Sequence, residues 1–204
     1  EAAGACFVLD EVHAYEPRRL AMLLGMLKHF GRDLNARVLL VSATRPGWVR
    51  GAFENAVGNM RSICAEAALY QQFQRHRLQL VSKDLACPES IRSIAERVRD
   101  GESTLIVATT VKRAQQIREL LQREGIEDVS LLHSRFHSRD RNEKERRLRE
   151  QRSTERVRNG SARPAVLVAT QVVEVSLDVD FDVLFSDPAP LEALIQRFGR
   201  VNRG

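Results

Sequence analysis

The chain has 204 residues, of which 43% are apolar and 29% charged, and 32 basic against 27 acidic residues give a formal net charge of +5. This length predicts one or two globular domains, and the apolar fraction excludes an intrinsically disordered chain. No apolar run approaches the roughly 18 residues of a transmembrane helix, so we predict no membrane association. The few scattered cysteines, without a C-x-x-C pair, favour a reduced cytoplasmic protein over a disulfide scaffold or a zinc site.

The predicted secondary structure alternates between strands and helices, which is typical of an α/β fold with parallel sheets buried on both faces. In chain order, strands are predicted at 5–9, 38–41, 78–81, 104–108, 129–132, 165–169 and 182–185. Helices are predicted at 17–30, 89–99, 111–124, 139–156 and 191–198. Pro17 and Pro88 suit first helical turns, and Gly31, Gly101 and Gly125 suit C-terminal ends. Weak periodicity over 58–77 places a domain boundary there, giving domains 1–72 and 73–204.

The first predicted strand ends in the sequence DEVH, residues 10–13. Ligands of open α/β sheets bind where strands end, so these side chains are candidates for a site. Of two adjacent carboxylates, one can orient Mg²⁺ through water and the other can accept a proton from an attacking water. The alternative is a plain turn in which Asp10 and Glu11 are the N-terminal anions of the next helix.

Two further motifs also follow predicted elements. Ser42-Ala43-Thr44 follows the second strand, where hydroxyl groups could relay hydrogen bonds, although Ser and Thr also favour turns. Near the end of the chain, the sequence QRFGRVNR (196–203) places Arg200 and Arg203 three residues apart on a helix-like segment, within reach of one polyanion. Arginines of this kind stabilise charge on a transferred γ-phosphate, but surface arginines that pair with acidic residues fit the pattern equally well.

The basic charge is concentrated in residues 134–163, which carry eleven basic and five acidic residues. Such a surplus fits a phosphate-facing surface. Opposite charges spaced four residues apart are equally typical of a solvated helix, so both interpretations stay open.

Taken in order, these motifs resemble those of a superfamily 2 helicase core, and within it the type I CRISPR-associated helicase–nuclease. The matching segments are DEVHAY (10–15, the Walker B segment), SAT (42–44), TVKRA (110–114), LHSRF (132–136) with DR (140–141), and ATQVVE (169–174) with SLD (176–178). The resemblance runs almost end to end and implies two RecA-like lobes, the first truncated on its N-terminal side.

For the first lobe, the resemblance implies that Asp10 helps to hold Mg²⁺ through water and that Glu11 activates the attacking water. Coupling of ATP hydrolysis to strand movement would fall to His13, Ser42 and Thr44.

For the second lobe, the resemblance implies that Arg200 and Arg203 contact the γ-phosphate of ATP. Gln196 and Gly199 would lie at the nucleotide, and Asp178 near the ribose or these arginines.

The resemblance also implies a binding surface for the phosphates of single-stranded DNA, formed by His133, Ser134, Arg135 and Thr170. The implied function is an ATP-dependent translocase and helicase that is recruited to a CRISPR RNA-guided surveillance complex and degrades invading DNA together with a nuclease.

One motif of such an enzyme is missing from the sequence. A P-loop, G-x-x-x-x-G-K-[ST], should precede the Walker B strand, yet the chain contains no Gly-Lys dipeptide. The chain also lacks a His-Asp dipeptide for a nuclease metal site. We therefore interpret it as an internal fragment, inactive by itself, whose first lobe has unpaired strand edges and low stability.

Two other functions fit the same motifs. An RNA helicase or a DNA repair translocase shares the DExH and Q-x-x-G-R-x-x-R patterns. A protein that has lost its P-loop could instead bind nucleic acid without hydrolysing ATP.

Overall fold

The computed structural model describes residues 4–12, 15–42, 47–153, 155, 160, 164–174 and 177–203. Of the residues singled out by sequence, His13, Ala14, Ala43, Thr44, Ser176 and several residues of the basic segment 134–163 lie outside these ranges. The chain divides into two compact units, Glu1–Gln72 and Phe73–Gly204. Both contain parallel β-sheets connected by helices, so the α/β class is confirmed.

The first unit contains a two-stranded parallel sheet of β1 (Cys6–Asp10) and β2 (Arg37–Val41), joined by helix α1 (Pro17–Asp33). Helices α2 (Gly47–Val57) and α3 (Ala67–Gln72) follow. One face of the sheet packs on a core whose buried members are Val12, Leu20, Leu27, Val49 and Phe53.

The other face of this sheet is exposed: Val8 is 61%, Leu39 49% and Val41 45% accessible. The prediction of sheets buried on both faces is therefore wrong for the described part of the first unit. Strand sequences that are apolar on both faces specify burial only when helices are present to cover both.

The second unit contains four parallel strands in the order β4-β5-β3-β6, namely β3 (Thr104–Val107), β4 (Val129–Leu132), β5 (Val166–Ala169) and β6 (Val183–Ser186). The surrounding helices are α4 (Pro88–Arg99), α5 (Val111–Arg123), α6 (Ser138–Arg152) and α7 (Leu191–Phe198). One core cluster lies between the sheet and α4 and α5, and a second includes Leu148 of α6 and Phe181. Every residue of β3 and β5 is buried, so in this unit the sheet is covered on both faces as predicted.

Several predicted boundaries are confirmed. Pro17 and Pro88 occupy first helical turns, and Gly101 and Gly125 follow the ends of α4 and α5 with φ of +88° and +86°, where glycine is favoured. Gly31 does not end α1. A Cβ at this position would lie 3.7 Å from the Val57 side chain, an ordinary van der Waals distance, so position 31 lies where α1 packs against the end of α2.

Three other predictions are wrong. Residues 78–81 do not form a strand, and Leu78, Leu80 and Val81 are 66%, 89% and 61% exposed. Their alternating apolar pattern resembles that of a half-buried strand, but no described strand pairs with them. Helix α6 ends at Arg152, before the predicted end at 156, because Ser153 adopts an extended conformation; residues 154 and 156 lie outside those described. Residues 200–203 are not helical, because α7 ends at Phe198 and Arg200–Asn202 turn back against Phe181.

Candidate functional site

The adjacent carboxylates lie at the end of β1 and are exposed. Asp10 is the last residue of the strand, and its Oδ1 accepts a hydrogen bond of 2.9 Å from the backbone N–H of Glu11. Glu11 has φ of +51°, a left-handed conformation that costs a non-glycine residue about 1–3 kcal/mol. Helix α1 begins only at Pro17 and has no acidic residue in its first turn, so these carboxylates are not N-terminal anions of α1.

Ser42 lies at the same edge of this sheet. Asp10 is opposite Val41 in the parallel register, so Ser42 follows β2 where Glu11 follows β1. The first unit therefore brings together Asp10, Glu11 and Ser42, three of its five predicted site residues. His13 and Thr44 are not among the residues described.

In the second unit, Arg200 is buried, with 9% of its surface exposed. Its Nε donates to the carbonyl of Val173 and its Nη2 to the carbonyl of Glu174, both at 2.8 Å. These two carbonyls belong to the turn after β5, so the turn fixes the direction of the guanidinium group.

Arg203 is held close to Asp178, another predicted residue. Its backbone N–H donates to both carboxylate oxygens of Asp180 at 3.0 Å, and its Nη1 donates to Asp178 Oδ1 at 3.1 Å. Arg203 therefore pairs with an acidic residue in this conformation, as the alternative interpretation of the sequence predicts.

An open pocket of about 510 Å³ lies beside this ion pair and is lined by Arg75, His76, Asp178, Gly199, Val201, Asn202 and Arg203. Gly199 follows α7, where a Cβ would approach the carbonyl of Gln196 to 3.3 Å. Gln196 itself lies on α7 and is half-buried. Four predicted nucleotide-binding residues are therefore in or beside this pocket.

Sequence reasoning missed Arg197, which lies between these residues and is 4% exposed. Its Nε donates to Glu174 Oε1 at 2.9 Å, and its Nη1 donates to Ser186 Oγ at 2.8 Å and to the carbonyl of Asp187 at 3.1 Å. An arginine in a helix that packs on the core signals a buried acidic partner, and this signal could have identified the contact.

A second network that the sequence did not indicate surrounds Asp187, at the end of β6. Its carboxylate accepts hydrogen bonds from Arg113 Nε at 2.7 Å and Nη2 at 2.9 Å, and from the backbone N–H of Thr109 at 3.0 Å. Arg113 Nη2 also binds Asp84 at 3.0 Å. These contacts raise the pKa of Arg113 and lower the pKa of Asp84.

The predicted DNA-binding residues lie at the ends of β4 and β5. Leu132 and Ala169 are partners in the register, and the next residues are His133 and Thr170. These two side chains are 5% and 1% exposed, and within the described residues His133 Nδ1 and Thr170 Oγ1 have no hydrogen-bond partner. Ser134 and Arg135, the other predicted contacts, are exposed in the turn that follows β4.

The ring of His133 stacks on Phe136, with centroids 4.1 Å apart and planes 6° from parallel. Lys144 Nζ lies 4.8 Å from the centroid of the same phenyl ring. Burial lowers the pKa of His133, and the positive charges of Arg135 and Lys144 lower it further. The imidazole is therefore neutral near pH 7, with one nitrogen able to donate and one able to accept.

Much of the positive charge of α6 is compensated within the helix. Arg141 pairs with Glu145 at 2.7 Å, Arg147 with Glu143 at 2.8 Å, and Arg146 with Glu143 and Glu150. Arg146 and Arg147 lower the pKa of Glu143 to about 2. For these residues the pairing favours the solvated-helix interpretation over a phosphate-facing surface.

Comparisons with known proteins agree with the resemblance. The family model described as CRISPR-associated nuclease/helicase Cas3, C-terminal, matches residues 100–204. The CRISPR-associated endonuclease/helicase Cas3 of Escherichia coli is 31% identical over 96% of the chain and 25% of the relative. The CRISPR-associated nuclease/helicase Cas3 of Streptococcus thermophilus is 29% identical over 96% of the chain and 23% of the relative. The chain thus spans about a quarter of the length of these proteins.

Solved structures show the same fold. The crystal structure of T. fusca Cas3-ATP superposes with a TM-score of 0.77 at 28% identity, covering 99% of this chain and 28% of that one. A chain from the structure of a CRISPR RNA-guided surveillance complex, pre-nicking, gives a TM-score of 0.72 at 28% identity, covering 96% of this chain and 28% of that one. None of the described helices combines the length and hydropathy that crossing a membrane requires.

Proposed function

The chain belongs to the family of the CRISPR-associated nuclease/helicase Cas3 C-terminal region, and on this premise we propose that it is part of the motor of an ATP-dependent helicase that translocates on single-stranded DNA. The DNA-binding part rests on two buried atoms at adjacent strand ends, His133 Nδ1 and Thr170 Oγ1, which have no hydrogen-bond partner among the residues that the structure describes. Leaving such atoms unpaired costs about 1–3 kcal/mol each, and a phosphate oxygen could accept from both side chains. Arg135, exposed in the neighbouring turn, adds a cation for the same backbone.

For ATP hydrolysis, we assign the exposed Asp10 to Mg²⁺ and Glu11 to the attacking water. Mg²⁺ would supply neutralisation of phosphate charge, and a carboxylate at the end of a strand is the type of ligand this ion prefers. The left-handed φ of Glu11 is consistent with a functional constraint at this position. In the second unit, Arg203 beside its pocket and Arg200 after α7 would contact the γ-phosphate, with Gln196, Gly199 and Asp178 at the nucleotide.

The activity belongs to the longer protein in this proposal. Without a Gly-Lys dipeptide, these 204 residues have no P-loop lysine for the phosphates, so alone they should not hydrolyse ATP. The cellular role would be degradation of invading DNA with a nuclease domain, in the cytoplasm, after recruitment to an RNA-guided surveillance complex like the one to which the similar solved chain belongs.

The test is ATP hydrolysis by the full-length gene product, with and without single-stranded DNA or RNA. We expect DNA to stimulate hydrolysis and Glu11→Gln to abolish it, whereas Thr170→Val should weaken DNA binding and leave DNA-independent hydrolysis intact. Lys83→Gln, on an exposed segment, is the control for loss of one positive charge at the surface.

Each contrary result identifies another function. Stimulation by RNA alone would replace the proposal with an RNA helicase. Tight DNA binding by a wild-type protein that hydrolyses no ATP would indicate a binding protein instead. ATP hydrolysis by the 204-residue chain that Glu11→Gln abolishes would contradict the assignment to a longer motor.

A further inference from the structure

Arg197 is anchored to the sheet of the second unit. Its Nη1 reaches both the hydroxyl of Ser186 and the carbonyl of Asp187, at 2.8 and 3.1 Å, where β6 ends. Its side chain is 4% exposed, so water competes little for these contacts. The strand end therefore fixes the guanidinium group.

The remaining contact of this group fixes Glu174. Arg197 Nε binds Glu174 Oε1 at 2.9 Å, and the carboxylate side chain is 16% exposed. An ion pair in such surroundings is stronger than one in water, and removing one partner leaves a buried charge without compensation. Arg197 thus holds Glu174 in one place relative to β6.

The backbone of Glu174 in turn binds Arg200. Arg200 Nη2 donates to the carbonyl of Glu174 and its Nε to that of Val173, both at 2.8 Å. Val173 is the last residue of a single 3₁₀ turn, Gln171–Val173, that begins directly after Thr170, and Glu174 caps its C-terminal end. One turn therefore separates the carbonyls that orient Arg200 from the Thr170 hydroxyl, which lacks a hydrogen-bond partner within the described part of the chain.

We propose that Glu174 and Arg197 are positioning residues that hold this turn in place, so that a phosphate bound at Thr170 and the direction of Arg200 depend on the same short segment. The inference rests on the proposed function for the roles of Thr170 and Arg200. The inference adds Glu174 and Arg197 as the residues through which single-stranded DNA would stimulate ATP hydrolysis. Neither side chain is assigned a contact with ATP or DNA.

The first test uses Glu174→Gln in the full-length protein, because glutamine keeps the size of the side chain and removes its charge. We expect the DNA-stimulated kcat to fall at least about 10-fold with the KM for ATP changed less than about 2-fold, as misplacement of a transition-state contact predicts. The matched control is Glu102→Gln, which removes the exposed ion pair with Arg97 (3.1 Å) in the same unit and should leave both constants unchanged.

The second test does not depend on catalysis. In the 204-residue chain labelled with ¹⁵N-arginine, NMR should show a slowly exchanging Nε–H for Arg200, assigned by its absence in Arg200→Lys. We expect this protection to be lost in Glu174→Gln and in Arg197→Lys, which keeps the charge but cannot make all three contacts, and to persist in Glu102→Gln.

The two tests separate failure of the inference from failure of the proposed function. A wild-type protein without DNA-stimulated hydrolysis would refute the function, and the protection of Arg200 would still decide the positioning role. Unchanged protection in Glu174→Gln, or equal loss of kcat in Glu174→Gln and Glu102→Gln, would overturn the inference.

Discussion

Arg113 offers a direct comparison between a buried and an exposed ion pair, because one guanidinium group binds both Asp187 and Asp84. The side chain of Asp187 is 5% exposed and that of Asp84 58%, at similar N–O distances of 2.7 and 3.0 Å. Changing each aspartate to asparagine removes a charge and keeps the size of the side chain. The contacts differ as well as the burial, because Asp187 accepts from both Nε and Nη2 of Arg113 whereas Asp84 accepts from Nη2 alone.

We expect Asp187→Asn to lower the free energy of unfolding of the second unit by about 3 kcal/mol. Breaking a buried pair costs roughly 3–5 kcal/mol, and the lower end applies because Arg113 keeps Asp84 and asparagine keeps an acceptor for the N–H of Thr109. The midpoint of thermal unfolding should fall by about 10 °C. Asp84→Asn should lower the stability far less, since exposed ion pairs contribute little.

The measurement is urea unfolding of the 204-residue chain followed by circular dichroism, with hydrogen exchange to assign the transition to the second unit. A double-mutant cycle with Arg113→Met isolates the coupling to each aspartate. Equal losses for Asp187→Asn and Asp84→Asn would refute the reasoning, because they would show that neither burial nor the two-point contact with Arg113 makes the Asp187 pair the stronger one.

Three further predictions concern other parts of the chain. Glu11→Gly should be more stable than Glu11→Ala by about 1 kcal/mol, since only glycine adopts the φ of +51° without strain; chemical unfolding in which alanine equals or exceeds glycine would argue against a strained residue. Because the pKa of His133 is lower in the folded than in the unfolded chain, stability should decline as the pH falls below about 6.5 towards that lower value. His133→Asn should flatten this part of the stability profile, and an unchanged slope would assign the effect to another group. Amide exchange should be much slower at Leu105 in β3, which is buried, than at Val8 in β1, which is 61% exposed. Equal protection of the two amides would contradict the exposure of one face of the first sheet.

The sequence predicted the second unit well because its elements have strong and distinct periodicity. The strand at 129–132 and the helix at 191–198 match the structure at both ends, and the remaining strands of this sheet shift by one residue at most at either end. The strand predicted at 78–81 is absent because apolar alternation alone does not produce a strand. Alternation describes which side chains could be buried, but pairing requires a neighbouring strand, and one sequence does not reveal it.

The candidate site was predictable where side chains follow strands and unpredictable where they lie in helices. Asp10 and Thr170 both follow apolar strands, so the rule for strand ends identified their positions. Arg113 occupies a helix whose charged residues are mostly solvated, and only its contact with Asp187 distinguishes it from a surface arginine. Arg197 lies on a largely apolar helix that indicates burial, but the sequence does not identify Glu174 as its partner. Sequence also left their partners undetermined, because each pair is separated by more than twenty residues.

The polar groups buried at the carboxyl ends of the second sheet differ in one informative respect. Asp187 and Arg197 each have three or more hydrogen bonds, whereas His133 and Thr170 retain unpartnered atoms among the residues described. The only other such atom in this set, Arg118 Nε, belongs to a half-buried guanidinium group with further donors. Because a hydroxyl and an imidazole at adjacent strand ends retain unsatisfied atoms among the residues described, we expect a ligand with acceptor oxygens to bind at that place. The phosphate backbone of single-stranded DNA meets this requirement, which is why the proposed function depends on these two residues more than on the charge of α6.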